Sequence, residues 1–173
     1  ILHCVSLYPC PVDKLNLNTI PFLQKEFSCP VGFSDHSVGI ETALMAVKRG
    51  AAIIERHFTL NRDAWGPDHK VSLLPDEMKE LTQEIKFGDP LTWAVFDEAL
   101  GEKAKLLQDD EVSFRNVFRK GLYAARDLKK GELIESDMIY ALRPAEPLAS
   151  PSEDYPLFLG RLVKADTLKF SPL

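Results

Sequence analysis

The chain has no apolar run near the roughly 20 residues that cross a bilayer, so its 173 residues offer no membrane span. Its opening residues, Ile1-Leu2-His3-Cys4, lack the basic n-region of a signal peptide. Cysteine is scarce. Cys4, Cys10 and Cys29 are odd in number and lack CxxC spacing, which excludes a zinc ribbon or a dithiol redox motif. Reduced thiols in a cytoplasmic protein are the expectation. Basic residues are not in excess, with 21 Lys+Arg against 26 Asp+Glu, so charge gives no reason to expect nucleic acid. Residues 1–115 are the acidic part, with 12 basic against 18 acidic groups, whereas residues 116–173 hold 9 against 8. What is present is 45% hydrophobic and 27% charged residues. That is soluble globular composition, enough for one domain or a domain with a small appendage.

Ile1–Val5 reads as a short strand. Leu7-Tyr8-Pro9-Cys10-Pro11 is loop, because two prolines so close cannot stay in a ladder. Asn16–Phe27 fits a helix with Ile20, Leu23 and Phe27 on one face and Pro21 near its start. Val31–Ser34 is a strand. Ile40–Arg49 is helical, since Ile40, Ala43, Leu44 and Val47 recur at helical spacing before Gly50. Ala51–Phe58 reads as a buried strand centred on Ile53-Ile54. A polar loop over 61–72 contains Gly66-Pro67-Asp68-His69. Pro75-Asp76-Glu77 opens a helix with Met78, Leu81 and Ile85 as its buried stripe.

Strand and helix thus alternate three times over residues 1–86, at a period near that of a (β/α)8 barrel, which means a parallel sheet with crossover helices. Residues 87–115 read as a linker that partly packs on the barrel, with Gln108–Glu111 acidic and loose. Residues 116–173 have the texture of short strands and turns, with strands at Leu122–Ala125 and Ile139–Leu142. Gly121, Asp127 and Lys130 recur as Gly160, Asp166 and Lys169, a weak echo that suits a small β-domain with pseudo-twofold symmetry. Three βα units cannot close a barrel and leave raw edges. The expectation is the C-terminal part of a longer protein, starting near the sixth strand of a TIM-type barrel. The alternative is a compact three-stranded domain standing alone.

Two of the apolar runs end in histidine, at Gly32-Phe33-Ser34-Asp35-His36 and Ile53-Ile54-Glu55-Arg56-His57, 21 residues apart. One βαβ period separates them, so they belong at matching ends of neighbouring parallel strands, about 4.8 Å apart. There they can share one divalent metal through bonds of about 2.0–2.1 Å, where barrel chemistry gathers. The bland reading of each histidine alone is a satisfied core or surface residue. By residue type, Ser34 can donate to an anion or cap the next segment. Tyr8 can line a site or pack beside Pro9. Asp68 can hold a diol or serve a turn, and Arg143 can bind substrate or precede a turn proline.

Four motifs in order sharpen this: His3–Pro9, Gly32-Phe33-Ser34-Asp35-His36-Ser37-Val38-Gly39, Glu55-Arg56-His57-Phe58-Thr59-Leu60 and Gly66-Pro67-Asp68-His69. Together they resemble the sialic acid synthase family, including its pseudaminic, legionaminic and spore-coat polysaccharide relatives. Ala125–Glu132 with Leu142-Arg143-Pro144 resembles the antifreeze-like (SAF) domain of that family, a small β-clip fold. The resemblance implies a metal-dependent condensation of phosphoenolpyruvate with an N-acetylmannosamine-like aldehyde, giving a nonulosonic acid and phosphate in surface-carbohydrate biosynthesis.

It further implies that His36 and His57 are metal ligands, for Mn2+ first and with Mg2+, Co2+ or Zn2+ as options. Ser34 and Ser6 would meet phosphoenolpyruvate. Tyr8 would line the site of the N-acylated hexosamine, and Asp68 would hold its hydroxyls or move a proton. Arg143 would reach the site of a second subunit in a domain-swapped homodimer. Two departures stand out. Ala145–Ser150 replaces the glycine-rich turn that usually follows Arg-Pro. The family's upstream lysines and glutamate are not in these residues, so the 173-residue chain is expected to be inactive by itself. The competing readings are a non-catalytic sugar-binding homologue, an SAF module on a structural stub, and another phosphoenolpyruvate-condensing barrel enzyme.

Overall fold

The computed structural model describes residues 1–143 and 150–173, with the main chain alone for 115–117. The turn expected at Pro144 and the altered segment up to Ala149 lie outside the described residues. The chain divides into two units, Ile1–Glu111 and Val112–Leu173. No helix among the described residues is long and apolar enough to cross a membrane.

The first unit is a parallel sheet of β1 (Leu2–Cys4), β2 (Gly32–Asp35) and β3 (Ile54–Arg56), in that spatial order. Helices α1 (Thr19–Phe27) and α2 (Glu41–Lys48) make the crossovers, and α3 (Pro75–Phe87) follows β3. Helix α1 begins three residues later than its apolar pattern suggests, because Asn16 has a left-handed φ of +51° that a helix cannot carry. Register puts Cys4 beside Ser34 and Ser34 beside Glu55. It puts His3 beside Phe33 and Phe33 beside Ile54.

Because side chains alternate along a strand, these rows occupy opposite faces. The face with His3, Phe33 and Ile54 packs on the helices, where Phe33, Leu15, Leu17, Ile20, Val31 and Met45 are almost wholly buried. The other face carries Cys4, Ser34 and Glu55.

Strand β3 is shorter than its apolar run, and Ile53 is 59% exposed rather than buried. It is an edge strand, with β2 alone beside it among the described residues. The stripe on α3 is likewise half right: Leu81 is buried and joins Leu44, Leu73 and Trp93, but Ile85 lies at the surface. The region after residue 87 is less loose than its composition suggests. Trp93 and Ala99 are buried in the first unit, and helix α4 (Asp109–Phe118) starts inside the segment read as acidic and loose.

The second unit is built on the antiparallel pair β4 (Gly121–Ala124) and β5 (Ile139–Leu142), followed by the one-turn helix α5 (Tyr155–Phe158). Leu122, Ala124, Leu128, Ile134, Met138, Ile139 and Val163 form its core. The faint echo in the sequence corresponds to real geometry. Asp127 Oδ1 accepts from the Lys169 amide at 2.8 Å, and Asp166 Oδ1 accepts from the Lys130 amide at 2.9 Å. Leu128 and Thr167 exchange both main-chain hydrogen bonds across the pseudo-axis. The next position in each repeat has positive φ, +89° at Gly131 and +66° at Phe170.

Candidate active site

The β2–α2 and β3–α3 loops leave the C-terminal ends of their strands one residue past the sheet, and a buried ion pair sets both. The Arg56 guanidinium meets Asp35 Oδ2 at 2.6 Å, with both side chains almost fully buried. Asp35 also accepts from the Ser37 amide at 2.8 Å and from the Thr42 hydroxyl at 2.8 Å. Arg56 donates to the Ser37 carbonyl at 2.9 Å and to Val71. Asp35 and Ser37 flank His36, and Arg56 precedes His57. The pair therefore locks the backbone on both sides of one imidazole and before the other.

The two imidazoles turn to the polar face of the sheet and converge. Their ring centroids are 5.2 Å apart at an interplanar angle of 66°. Tyr8 stacks on His36 at 4.1 Å and meets His57 edge-on at 5.8 Å. His36 is buried, and its Nδ1–H donates to the Val5 carbonyl at 2.9 Å, since a carbonyl can only accept. The lone pair of His36 therefore sits on Nε2. Asp68 Oδ2 lies 3.8 Å from His57 Nδ1, and its side chain is half exposed.

Ser34 is buried and donates to Glu55 Oε1 at 2.7 Å. Ser6 follows β1, and its amide donates to Glu111 Oε1 at 2.9 Å. Arg143 belongs to the second unit, where its guanidinium lies 4.3 Å from the centre of the Phe118 ring. His36, His57, Tyr8 and Asp68 are thus joined by direct ring or polar contacts, and Ser34 and Ser6 lie on the β2 and β1 ends of the same sheet.

Cys4 lies next to this cluster, with its sulfur 3.9 Å from His36 Nδ1. Burial pushes its thiol above the ordinary range. Burial, and after it the charge of Asp35, pushes Cys10 up to about 12. Both are neutral thiols and neither is an activated nucleophile. Among the described residues no group of three or more His, Cys, Asp or Glu could hold a metal. What the site offers a cation is two imidazoles on one side, leaving other positions to water or substrate.

A model of the NeuB family matches residues 1–89, just over half of the chain. The chain belongs to the NeuB family. An SAF domain matches residues 119–172 of this NeuB-family chain. It is 38% identical over 162 residues to the N,N'-diacetyllegionaminic acid synthase of Campylobacter jejuni, covering 94% of this chain and 46% of that protein. It is 32% identical over 163 residues to the N-acetylneuraminate-9-phosphate synthase of Homo sapiens, covering 94% and 43%. The solved structure of the spore coat polysaccharide biosynthesis protein spsE from Bacillus subtilis superposes with a TM-score of 0.72 at 34% identity, covering 98% of this chain and 51% of that one. The NeuB-family chain spans about half the length of the curated relatives it matches.

Four residues of this site were missed in the sequence. Glu55 holds the Ser34 hydroxyl, and its place was hidden because only strand register puts it there. The Asp35–Arg56 pair was readable only as charges at strand ends. Glu111 sat in an acidic run read as loose, yet it is 7% exposed.

Proposed function

We propose that this chain supplies the C-terminal βα units and the SAF domain of a barrel enzyme that condenses phosphoenolpyruvate with an N-acylated hexosamine aldehyde. The products are a nonulosonic acid and phosphate. The observation that carries the proposal is the His36–His57 pair, 5.2 Å apart, under the Tyr8 ring on the polar face of a parallel sheet. The synthases among the relatives support the chemistry. The polar inner face, the exposed edge at Ile53 and the twofold-longer relatives support a (β/α)8 cylinder completed by further strands.

The residues fit a divalent cation as a two-imidazole site. His36 has its Nδ1–H committed to Val5, so Nε2 is the free ligand atom, and rings 5.2 Å apart can both reach one ion through bonds of about 2.0–2.1 Å. Mn2+ suits two imidazoles with oxygen partners, and Mg2+, Co2+ or Zn2+ are the other options. A cation held by His36 and His57 would supply Lewis-acid polarisation of the aldehyde oxygen.

The chain's own residues do the rest. Ser34, released from Glu55, donates its hydroxyl to an anionic oxygen of phosphoenolpyruvate, and Ser6 borders the same end. Tyr8 walls the sugar site and excludes water from the face of His36. Asp68, whose Oδ2 lies 3.8 Å from His57 Nδ1, accepts from the sugar hydroxyls and assists the aldehyde by proton transfer. The nucleophilic carbon of phosphoenolpyruvate bonds to the aldehyde carbon, water adds to the cationic centre left behind, and phosphate departs. Arg143, from the β-clip SAF domain of a second subunit in a domain-swapped homodimer, donates to the N-acyl oxygen or a hydroxyl. The enzyme works in the cytoplasm.

The test is phosphate release from phosphoenolpyruvate with Mn2+ and N-acetylmannosamine. A full-length protein containing these residues turns over and loses activity as His57→Ala. The 173-residue chain alone releases none. Turnover by the isolated chain overturns the barrel-completion reading, and a full-length His57→Ala variant with unchanged activity overturns the site.

A further inference from the structure

We infer that Glu111 is a positioning residue for His36, acting through the peptide unit that joins Val5 to Ser6. The inference concerns residues of the first unit alone. Its consequence for metal binding rests on the function proposed above, but its geometry does not.

The N–H and the C=O of one peptide unit are engaged at its two ends. The Ser6 N–H donates to Glu111 Oε1 at 2.9 Å, and the Val5 C=O accepts from His36 Nδ1 at 2.9 Å. Hydrogen bonds in series polarise one another, so a carboxylate on the N–H end makes the carbonyl a stronger acceptor at the other end. The result is a chain from Glu111 through the peptide to the imidazole. It fixes both the direction of that peptide and the tautomer of His36.

Glu111 is held for this task. It is 7% exposed, and its second oxygen accepts from the Gln108 amide at 3.1 Å, at the start of α4. The segment that delivers it is strapped to the β1–α1 connection. The Leu17 amide donates to the Ala99 carbonyl at 2.8 Å, the Asn18 side chain to Gly101 at 2.9 Å and the Asn16 side chain to Ala104 at 2.9 Å. Lys105 Nζ donates to the Cys4 carbonyl at 2.8 Å, one residue ahead of Val5. Lys105 and Glu111 thus bracket Val5 on the main chain, and Val5 is the residue that His36 reads. Without Glu111 the peptide can rotate, and His36 reverts to the Nε2–H form that neutral imidazole favours in water. That form has no lone pair on Nε2, the nitrogen not engaged by Val5.

Long-range proton–nitrogen spectra of the metal-free 173-residue chain, at a pH where histidine is neutral, read the tautomer directly. His36 in the wild type is expected as Nδ1–H. Glu111→Ala, which removes the acceptor, and Glu111→Asp, which keeps the charge but falls short by one methylene, are expected to shift it to mostly Nε2–H. Glu111→Gln, which keeps an oxygen at the same reach, is expected to retain Nδ1–H.

A wild-type His36 in the Nε2–H form overturns the inference. So does a folded Glu111→Ala or Glu111→Asp variant with an unchanged tautomer. If neither variant folds, the wild-type spectrum and retention in Glu111→Gln decide it. In parallel, Mn2+ line broadening at His36 and His57 is expected to need about 10–100-fold more metal in Glu111→Ala than in the wild type. A wild type with the expected tautomer but no Mn2+ broadening leaves Glu111 as the positioning residue and removes the metal site instead.

Discussion

Removing the Arg56 side chain should cost more than any other single change at the sheet ends. The guanidinium and the Asp35 carboxylate are both almost fully buried and 2.6 Å apart. Arg56→Leu leaves the carboxylate in a low-dielectric site with only the Ser37 amide and the Thr42 hydroxyl as donors. It also strips the Ser37 carbonyl of its donor at 2.9 Å. Breaking a buried pair by one partner costs about 3–5 kcal/mol, because the other charge stays unpaired. With an m-value of about 2 kcal/mol/M, the urea midpoint of the first unit falls by about 2 M.

The partner control is the double variant Asp35→Asn with Arg56→Leu. It removes the stranded charge and should recover more than half of that loss. The assay is urea unfolding followed by the fluorescence of Trp93, which is buried in this unit. A loss below about 1 kcal/mol for Arg56→Leu would put the pair in the class of surface ion pairs and refute the argument that it locks the strand ends. A double variant as unstable as the single one would refute the stranded-charge explanation.

Three further outcomes are expected. His3 is buried, its Nε2–H donates to the Leu15 carbonyl at 2.7 Å and its Nδ1 has no partner. Burial therefore holds its pKa below the ordinary value. As pH falls below about 6.5, the unfolded chain takes up a proton that the folded chain refuses, so stability drops by up to about 1.4 kcal/mol per pH unit. His3→Gln should flatten this part of the profile between pH 7.5 and 5.5, and parallel profiles would count against the assignment. At Gly32, an added Cβ would meet the Ile53 carbonyl oxygen at 2.6 Å and Leu2 Cδ2 at 2.5 Å. Gly32→Ala should then destabilise by about 1–3 kcal/mol in chemical unfolding, because main chain has to move. Phe170 holds the left-handed φ that Gly131 holds in the other repeat. Phe170→Gly should stabilise the second unit by up to about 1 kcal/mol, less what it forfeits in the ring contact with Tyr140 at 6.1 Å. A marked drop in its melting temperature would show that the ring contact outweighs the backbone.

Alternation of strand and helix along residues 1–86 was legible because burial writes two different periods into a chain, and these persist without knowledge of partners. The βαβ spacing of His36 and His57 was legible for the same reason: parallel neighbours end at the same height, so one repeat length brings the two rings together. Exposure was not legible. Ile53 belongs to an apolar run, yet it immediately precedes the edge strand β3, and a run of hydrophobic residues says nothing of whether a neighbour covers it. The acidic stretch around Glu111 carried the opposite error. A carboxylate that ends up accepting from two main-chain amides looks, in sequence, like one that faces water.

By itself the sequence determined the family, the order of the elements and which residue types reach the strand ends, since these follow from local periodicity and contiguous motifs. Tertiary structure alone decided which nitrogen of His36 stays free, which carboxylate holds the Ser34 hydroxyl, and that Arg56 ties the two loops together. Each of these depends on hydrogen-bond partners that lie about 20 to 100 residues away along the chain. No local pattern encodes such a distance; only the packed backbone sets it.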